Sequence, residues 1–276
     1  MMTISNSELL TPHSSLLPKG VLSLPRHIDA YMDGVDLASV GPVLIQQVHE
    51  DAPQLALTEG ERPGRYGSRL ITRKRQTLRV TLEVAIRELF DLRARSHTME
   101  AIAAWCRGSE LQLSNHPSRR LLVECTAEPS LGAVRDYTAT ARLEFTAYNV
   151  PYWEDLLPVA MTLSGSTGSA SVYVPGTVPS PIRLRVVPEA AMTAFSVTAA
   201  GQTVALTDLN VPAGGELILE RDSLDNLWIT VNGVSMLSHR TSASADDLMA
   251  GPGYVPVSFT ADAACAVTIQ ARGRWA

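Results

Sequence analysis

The stretch FTAYNVPYWED, residues 145–155, decides how this chain is read. A strand-like run ends in it, a proline follows, and two large aromatics then meet two acids. Aromatic residues are only 5% of the sequence, so Tyr148, Tyr152 and Trp153 at one junction need a reason. Pro151 has no N–H and restricts Val150, so it can end sheet pairing. Tyr152 and Trp153 are large amphipathic plates; where a strand leaves one lobe for another they can wedge both against a fixed linker. The plainer alternative is that they close the first core. A sugar-stacking platform would need more aromatics nearby, and only Tyr148 offers itself.

Charge changes across this junction. Residues 156–276 hold only 6 of the 23 Lys and Arg and 9 of the 28 Asp and Glu. The remainder of that half is rich in Ser, Thr, Ala, Val and Gly, which marks a boundary near residue 155. The 276 residues suit one large domain or two ordinary ones, and 45% hydrophobic content supports packed cores. A net charge of −5 gives no global pull toward nucleic acid or acidic membrane. No apolar run reaches the roughly 20 residues of a membrane span. The start, MMTISNSELLTPHSSLLPKG, lacks the pattern of a secretory signal and reads as a flexible segment over 1–25. Cys106, Cys125 and Cys265 are widely spaced without a CxxC pair, and read as small buried hydrophobes in a reducing compartment.

Working outward, the first half reads as strands around one helix. HIDAYMDGVDLA is a hairpin turning at Asp33-Gly34. VLIQQVHE and QLALTEG follow as strands. In TLRVTLEVAI, Leu78, Val80, Leu82, Val84 and Ile86 share one face, while Thr77, Arg79, Thr81 and Glu83 share the other, as in a half-buried strand. RSHTMEAIAAWCRG reads as the helix, capped by Ser96 or Thr98 and ended by Gly108, with Met99, Ile102, Ala103 and Cys106 as its apolar stripe. ELQLSN, RRLLVECTA and YTATARLEFTAY return to strands, with a turn near Gly132 between the last two. The second half reads as short strands throughout, among them VAMTLSG, ASVYVP, VPVSFTA and AVTIQARGRW. SGSTGSASV (164–172) reads as a turn or exposed loop. Regular short strands without a helix point to a β-sandwich.

A β domain carrying one helix, whose last strand runs into Ala147, Tyr148, Pro151, Tyr152 and Trp153 before a second β domain, resembles the distal tail protein (Dit) family of long-tailed phages and related tail-like particles. The order RKRQTLRVTLEVAI, helix, short strands fits the same pattern. The resemblance implies a mainly β protein: a flexible segment 1–25, a split-barrel-like ring-forming domain over 26–155, and a galectin-like sandwich over 156–276. It implies a homo-oligomeric, hexameric ring at the tail tip or baseplate of a virion, assembled in the host cytoplasm. The partners it implies are the tail tube, the tip hub, and receptor-binding proteins carried on the sandwich. It implies no enzyme activity and no cofactor, and Tyr148, Pro151, Tyr152 and Trp153 become the interdomain joint. The alternative is a carbohydrate-binding adhesion module, for which an exposed Trp228 would speak.

Arg62, Arg65, Tyr66, Arg69, Arg73, Lys74 and Arg75 form a basic stretch opening with the glycine-containing RPGRYGSR. Such a stretch suits an extended arm contacting a neighbouring subunit. Contact with DNA in a tail channel is a further reading, weakened by the single interleaved aromatic, Tyr66. The six histidines form no HxH, HxxxH or HExxH. The acid pairs Glu50-Asp51, Glu154-Asp155 and Asp246-Asp247 are adjacent in sequence and read as loop acids rather than catalytic dyads. No GxSxG or GxxxxGK[ST] occurs. Trp228, Tyr254, Phe259 and Trp275 read as core or interface.

Overall fold

The computed structural model describes residues 28–53, 55–61, 68–87, 91–135 and 138–276. The segment 1–25, and Arg62, Arg65 and Tyr66 of the expected arm, lie outside the described residues. The first half contains β1 (Ala30–Met32), β2 (Val35–Asp36), β3 (Val43–Glu50), β4 (Leu55–Glu61), β5 (Ser68–Arg75), β6 (Leu78–Ile86), helix α1 (Leu92–Trp105), β7 (Glu110–Leu113), β8 (Arg119–Leu122), β9 (Glu124–Arg135), β10 (Thr138–Ala147) and β11 (Trp153–Asp155). The second contains β12 (Val159–Val174), β13 (Ser180–Pro188), β14 (Phe195–Ala199), β15 (Gln202–Leu206), β16 (Leu217–Arg221), β17 (Leu227–Val231), β18 (Val234–Ser235), β19 (Met249–Ala250), β20 (Gly253–Ala271) and β21 (Arg274–Trp275).

Two sheets and the helix enclose the N-terminal core. One sheet has the order β3-β6-β10-β9, the other β2-β1-β7-β8-β11-β21. The alternation in β6 places Leu78, Val80, Leu82, Val84 and Ile86 inside at 0–5% exposure. At about 1.5–3 kcal/mol for each buried side chain of this size, this strand is a principal anchor. Its partner β10 does the same with Ala139, Ala141, Leu143 and Phe145. Helix α1 closes the core: Ile102 and Cys106 are buried, and Trp105 meets Phe145 edge-on with ring centroids 6.1 Å apart. The indole Nε1–H of Trp105 donates to the Val35 carbonyl at 2.8 Å, tying the helix to the first hairpin.

The C-terminal core is a β-sandwich built on one long strand. The first part of β20 pairs with β14 and the last part with β13, so the strand passes between two groups of strands, and β12 follows it along most of its length. The expected pieces VAMTLSG and ASVYVP are therefore one strand, as are VPVSFTA and most of AVTIQARGRW. SGSTGSASV is the middle of β12 rather than a loop. Its glycine serves close approach: a Cβ on Gly168 would lie 2.5 Å from the Phe259 ring. Similarly, Gly132 is no turn; it lies inside β9, where the pairing with β10 changes register.

The helix also starts earlier than the sequence pattern implies. Asp91, with φ −109° and ψ 111°, caps it by accepting from the Arg93 N–H at 2.8 Å; neither Ser96 nor Thr98 is the cap. Thr98 lies within the helix, at 6% exposure. Replacing Asp91 by Ala is expected to cost about 1 kcal/mol in chemical denaturation. A loss below about 0.3 kcal/mol would mean that the bond is not a working cap.

Candidate functional site: the seam between the two cores

The junction stretch is distributed over three environments. Tyr148 is 51% exposed, and Pro151 is buried. Tyr152 is half-buried, with the Arg75 guanidinium 5.3 Å from its ring centroid. Trp153, at 5% exposure, belongs to the N-terminal core. Its ring stacks on His116 at 4.4 Å between centroids, and its Nε1–H donates to Glu50 at 3.2 Å. Glu50 also faces the His116 ring at 2.9 Å and accepts from the Asn115 amide at 3.1 Å. Burial pushes the Glu50 carboxyl up, but His116, Asn115 and Trp153 together outweigh it and hold it below the ordinary value. This clasp joins the end of β3, the 115–117 turn and the start of β11.

One residue further on, the chain leaves the clasp for an ion network. Glu154 is 5% exposed and Arg274 is 3% exposed, so neither is a loop residue. Arg274 Nε donates to Glu154 at 3.1 Å, and its two terminal nitrogens donate to Asp225 at 3.0 and 2.6 Å. Arg120 of β8 reaches Glu154 at 3.5 Å and Glu110 of β7 at 2.5 Å. Burial would pull the Arg274 guanidinium down, but the bonds and charges of Asp225 and Glu154 outweigh it and raise it further. Asp225 stands in the tight turn between β16 and β17, with φ +63°, so the chain of charges runs from the C-terminal sandwich through Arg274 into the N-terminal sheet.

The last strand makes that bridge possible. Having left the sandwich at Ala271, the chain pairs Arg274 with Glu154 and Trp275 with Trp153. Trp275 packs under the Arg119 guanidinium at 3.8 Å and donates to Asp155 at 2.8 Å. Gly176, at φ +113°, lies so close to Arg274 that a Cβ would sit 2.3 Å from the Arg274 carbonyl oxygen. Asn149 adds a bond from its side-chain amide to the Ser223 carbonyl at 2.9 Å. The sequence reading missed Glu154, Arg274, Asp225 and Arg120 because their partners lie between 10 and 120 residues away, on other strands and turns.

The second candidate feature is the arm. Among the described residues β4 and β5 pair only with each other, in a separate two-stranded sheet. In its register Arg69 stands opposite Gly60, Arg73 opposite Leu57, Lys74 opposite Ala56 and Arg75 opposite Leu55. Arg75, at the base, is the residue that meets Tyr152. Among the described residues no cluster of His, Cys, Asp and Glu could hold a metal ion. Burial, and then Cys125, push the Cys106 thiol up to about 12, so it offers no thiolate at neutral pH. Tyr254 is 77% exposed and Trp228 36% exposed, while Phe259 is buried.

No family model and no curated protein matches the sequence. Solved structures do match. The distal tail protein (Dit) of phage SPP1, described as a paradigm of the hub adsorption apparatus in phages infecting Gram-positive bacteria, aligns at a TM-score of 0.66 and 13% identity, covering 89% of this chain and 98% of its own. Two structures of the phage p2 baseplate in its activated conformation, with Sr and with Ca, align at TM-scores of 0.46 and 0.47 and identities of 10% and 9%. Each covers 88% of this chain and 97% of its own. The fold of this chain is that of a phage distal tail protein.

Two predictions follow from the seam. Replacing Arg274 by Met leaves Asp225 without its cation and Glu154 with only Arg120 at 3.5 Å, and should cost about 3–5 kcal/mol in chemical denaturation. The same change at Arg183, whose side chain is 42% exposed, should cost under about 1 kcal/mol; equal losses at the two positions would refute the buried network. For Glu50, a carboxyl depressed in the folded state contributes stability that is present above its ordinary value of 4.5 and is lost as pH falls through the lower folded value. Glu50→Gln should therefore flatten the acid limb of melting temperature against pH and cost about 1 kcal/mol at neutral pH. An unaltered acid limb would show that the clasp carries no charge term.

Proposed function

We propose that this chain is a structural component of a phage tail tip or baseplate that acts by assembly rather than by bond chemistry. The observation that supports it most is the fold likeness, over nearly the whole chain, to a hub protein of a phage adsorption apparatus. In this reading, residues 26–155 form a homo-oligomeric ring of six copies between tail tube and tip hub. Residues 156–276 are the outward galectin-like platform for receptor-binding proteins. A closed ring needs a head-to-tail interface whose rotation returns on itself. The β4–β5 hairpin, which pairs with no other strand among the described residues, has edges suited to main-chain pairing with a neighbour. The joint residues Tyr148, Pro151, Tyr152 and Trp153 then hold the ring-forming part at a fixed angle to the platform. Assembly takes place in the host cytoplasm, and the finished site is the virion tail.

A second reading, glycan adhesion by the sandwich, draws on exposed aromatics, among them Trp228 at 36% exposure. Tyr173 and Tyr254 are 47% and 77% exposed, with their rings 5.3 Å apart. Aromatic faces of this kind can stack on sugar rings. The structural reading is preferred because it accounts for the arm and the bridged seam as well as the sandwich.

Deleting residues 55–75 removes the hairpin whose ends already meet at its base, so the rest should fold. Light scattering and negative-stain images of the full chain should show rings with a central hole, and the deleted chain should remain a folded monomer. Rings formed equally well without the hairpin would end the arm assignment, and a strictly monomeric full chain, alone and with its tube protein, would end the ring.

A further inference from the structure

Between the two cores, beside the ion network, lies an open cavity of about 450 Å³. Five arginines and four carboxylates line it. Nearly every one of these charges has an internal partner. Arg183 binds Glu220 at 2.8 Å, Arg221 pairs with Asp247, and Arg274 holds Glu154 and Asp225. Arg120 spans Glu110 and Glu154. Asp222 is turned into its own turn, accepting from the Leu224 and Asn226 backbone N–H groups at 2.9 and 2.8 Å.

Arg272 is the exception. It stands on the short link between β20 and β21, and no nitrogen of its guanidinium donates a hydrogen bond among the described residues. Its Nη1 is buried without a partner, as is Nε of Arg120 in the same lining. Burial lowers the basicity of Arg272 and the charge of Arg120 lowers it further, while the charges of Glu154, Glu110 and Asp155 offset part of this without a hydrogen bond to it. A partly buried guanidinium without an acceptor is costly, and proteins resolve such a group by pairing it. Arg272 lines a polar space large enough for a small ligand, and a carboxylate or phosphate matches a guanidinium fork with two parallel bonds.

We propose that the seam cavity is an oxyanion site in which Arg272 is the principal ligand and Arg120 an adjacent positive charge. Its occupant is a carboxylate or phosphate group, arriving either as a free ion or as the acidic side chain of a neighbouring chain. Bound there, it neutralises the one unpaired cation in the lining and couples occupancy to the angle between the two cores.

The test uses the full chain in a chloride buffer of constant ionic strength, titrated calorimetrically with inorganic phosphate and, separately, with N-acetyl-glutamate amide. Saturable binding of phosphate alone identifies a free-ion site. Saturable binding of the glutamate amide identifies a site for a protein carboxylate. Absence of saturable binding by both overturns the proposal. Arg272→Met should weaken binding by about tenfold or more, and without ligand it should melt no lower than the parent chain, because the cation it removes is partly buried and has no hydrogen-bonded partner among the described residues. Arg272→Lys, which keeps the charge and loses the fork, should bind with intermediate strength. Binding that is unchanged in both variants, or a ligand-free Arg272→Met that melts well below the parent, would show that Arg272 serves the fold and not a ligand.

Discussion

The relation between the two halves rests on a chain of charge, buried at Arg274 and Glu154 and half-buried at Asp225, Arg120 and Glu110. Taking ions out of water costs several kcal/mol each, and mutual attraction repays this only when the geometry is complete. That condition is what makes the network a constraint. Arg274 is 3% exposed and Glu154 5% exposed, so a rotation that separates them leaves two buried charges each short of a partner. A purely apolar seam would slide at small cost, because dispersion contacts are individually weak and non-directional. A bidentate guanidinium reaching into a turn of the other core fixes a distance and a direction together. Three elements meet on it: β21 presents Arg274, β11 presents Glu154, and the β16–β17 turn presents Asp225.

The apolar frame was the legible part of the sequence. The faces of β6 and β10 follow directly from alternation, because each buries one side against a single core. The first hairpin was equally plain, since Asp33 and Gly34 both adopt positive φ at the turn they announce. The long strands were not legible. SGSTGSAS in β12 and ADAACA in β20 have the small residues of loops, yet here smallness answers to packing: Phe259 lies against Gly168, and the Gly165–Thr167 irregularity lets β12 follow a strand that changes partners. Local composition cannot separate a glycine that turns the chain from one that makes room for a ring. The Asp91 cap was hidden for a related reason. The helix begins with polar LRARS, so the apolar stripe that betrays it appears only from Met99 onward.

The seam itself escaped for a different reason. Its aromatic members stood out because Tyr and Trp are scarce in the chain, and the structure places Trp153 in the N-terminal core. Its charged members did not, because an acid beside an acid in sequence looks like a loop. In β11, strand alternation instead sends Glu154 and Asp155 to opposite sides, one into the network and the other to the Trp275 indole. Pairing across 120 residues leaves no local trace. The aromatic clasp and the ionic bridge thus divide the work: Trp153, His116 and Glu50 secure β11 to the N-terminal core, and Glu154 carries that fixed position onward to Arg274.

The base of the arm is drawn into the same arrangement. Arg75 closes the β4–β5 hairpin and stands over Tyr152, one residue before Trp153. A guanidinium over an aromatic ring is worth about 0.5–1 kcal/mol where partly exposed, enough to bias the direction of a hairpin that otherwise pairs only with itself. In an assembly held by such hairpins, a bias at the base sets which partner the arm reaches. For the proposed ring, this puts the direction of the arm and the angle of the sandwich under consecutive residues, Tyr152 and the strand β11 that begins at Trp153.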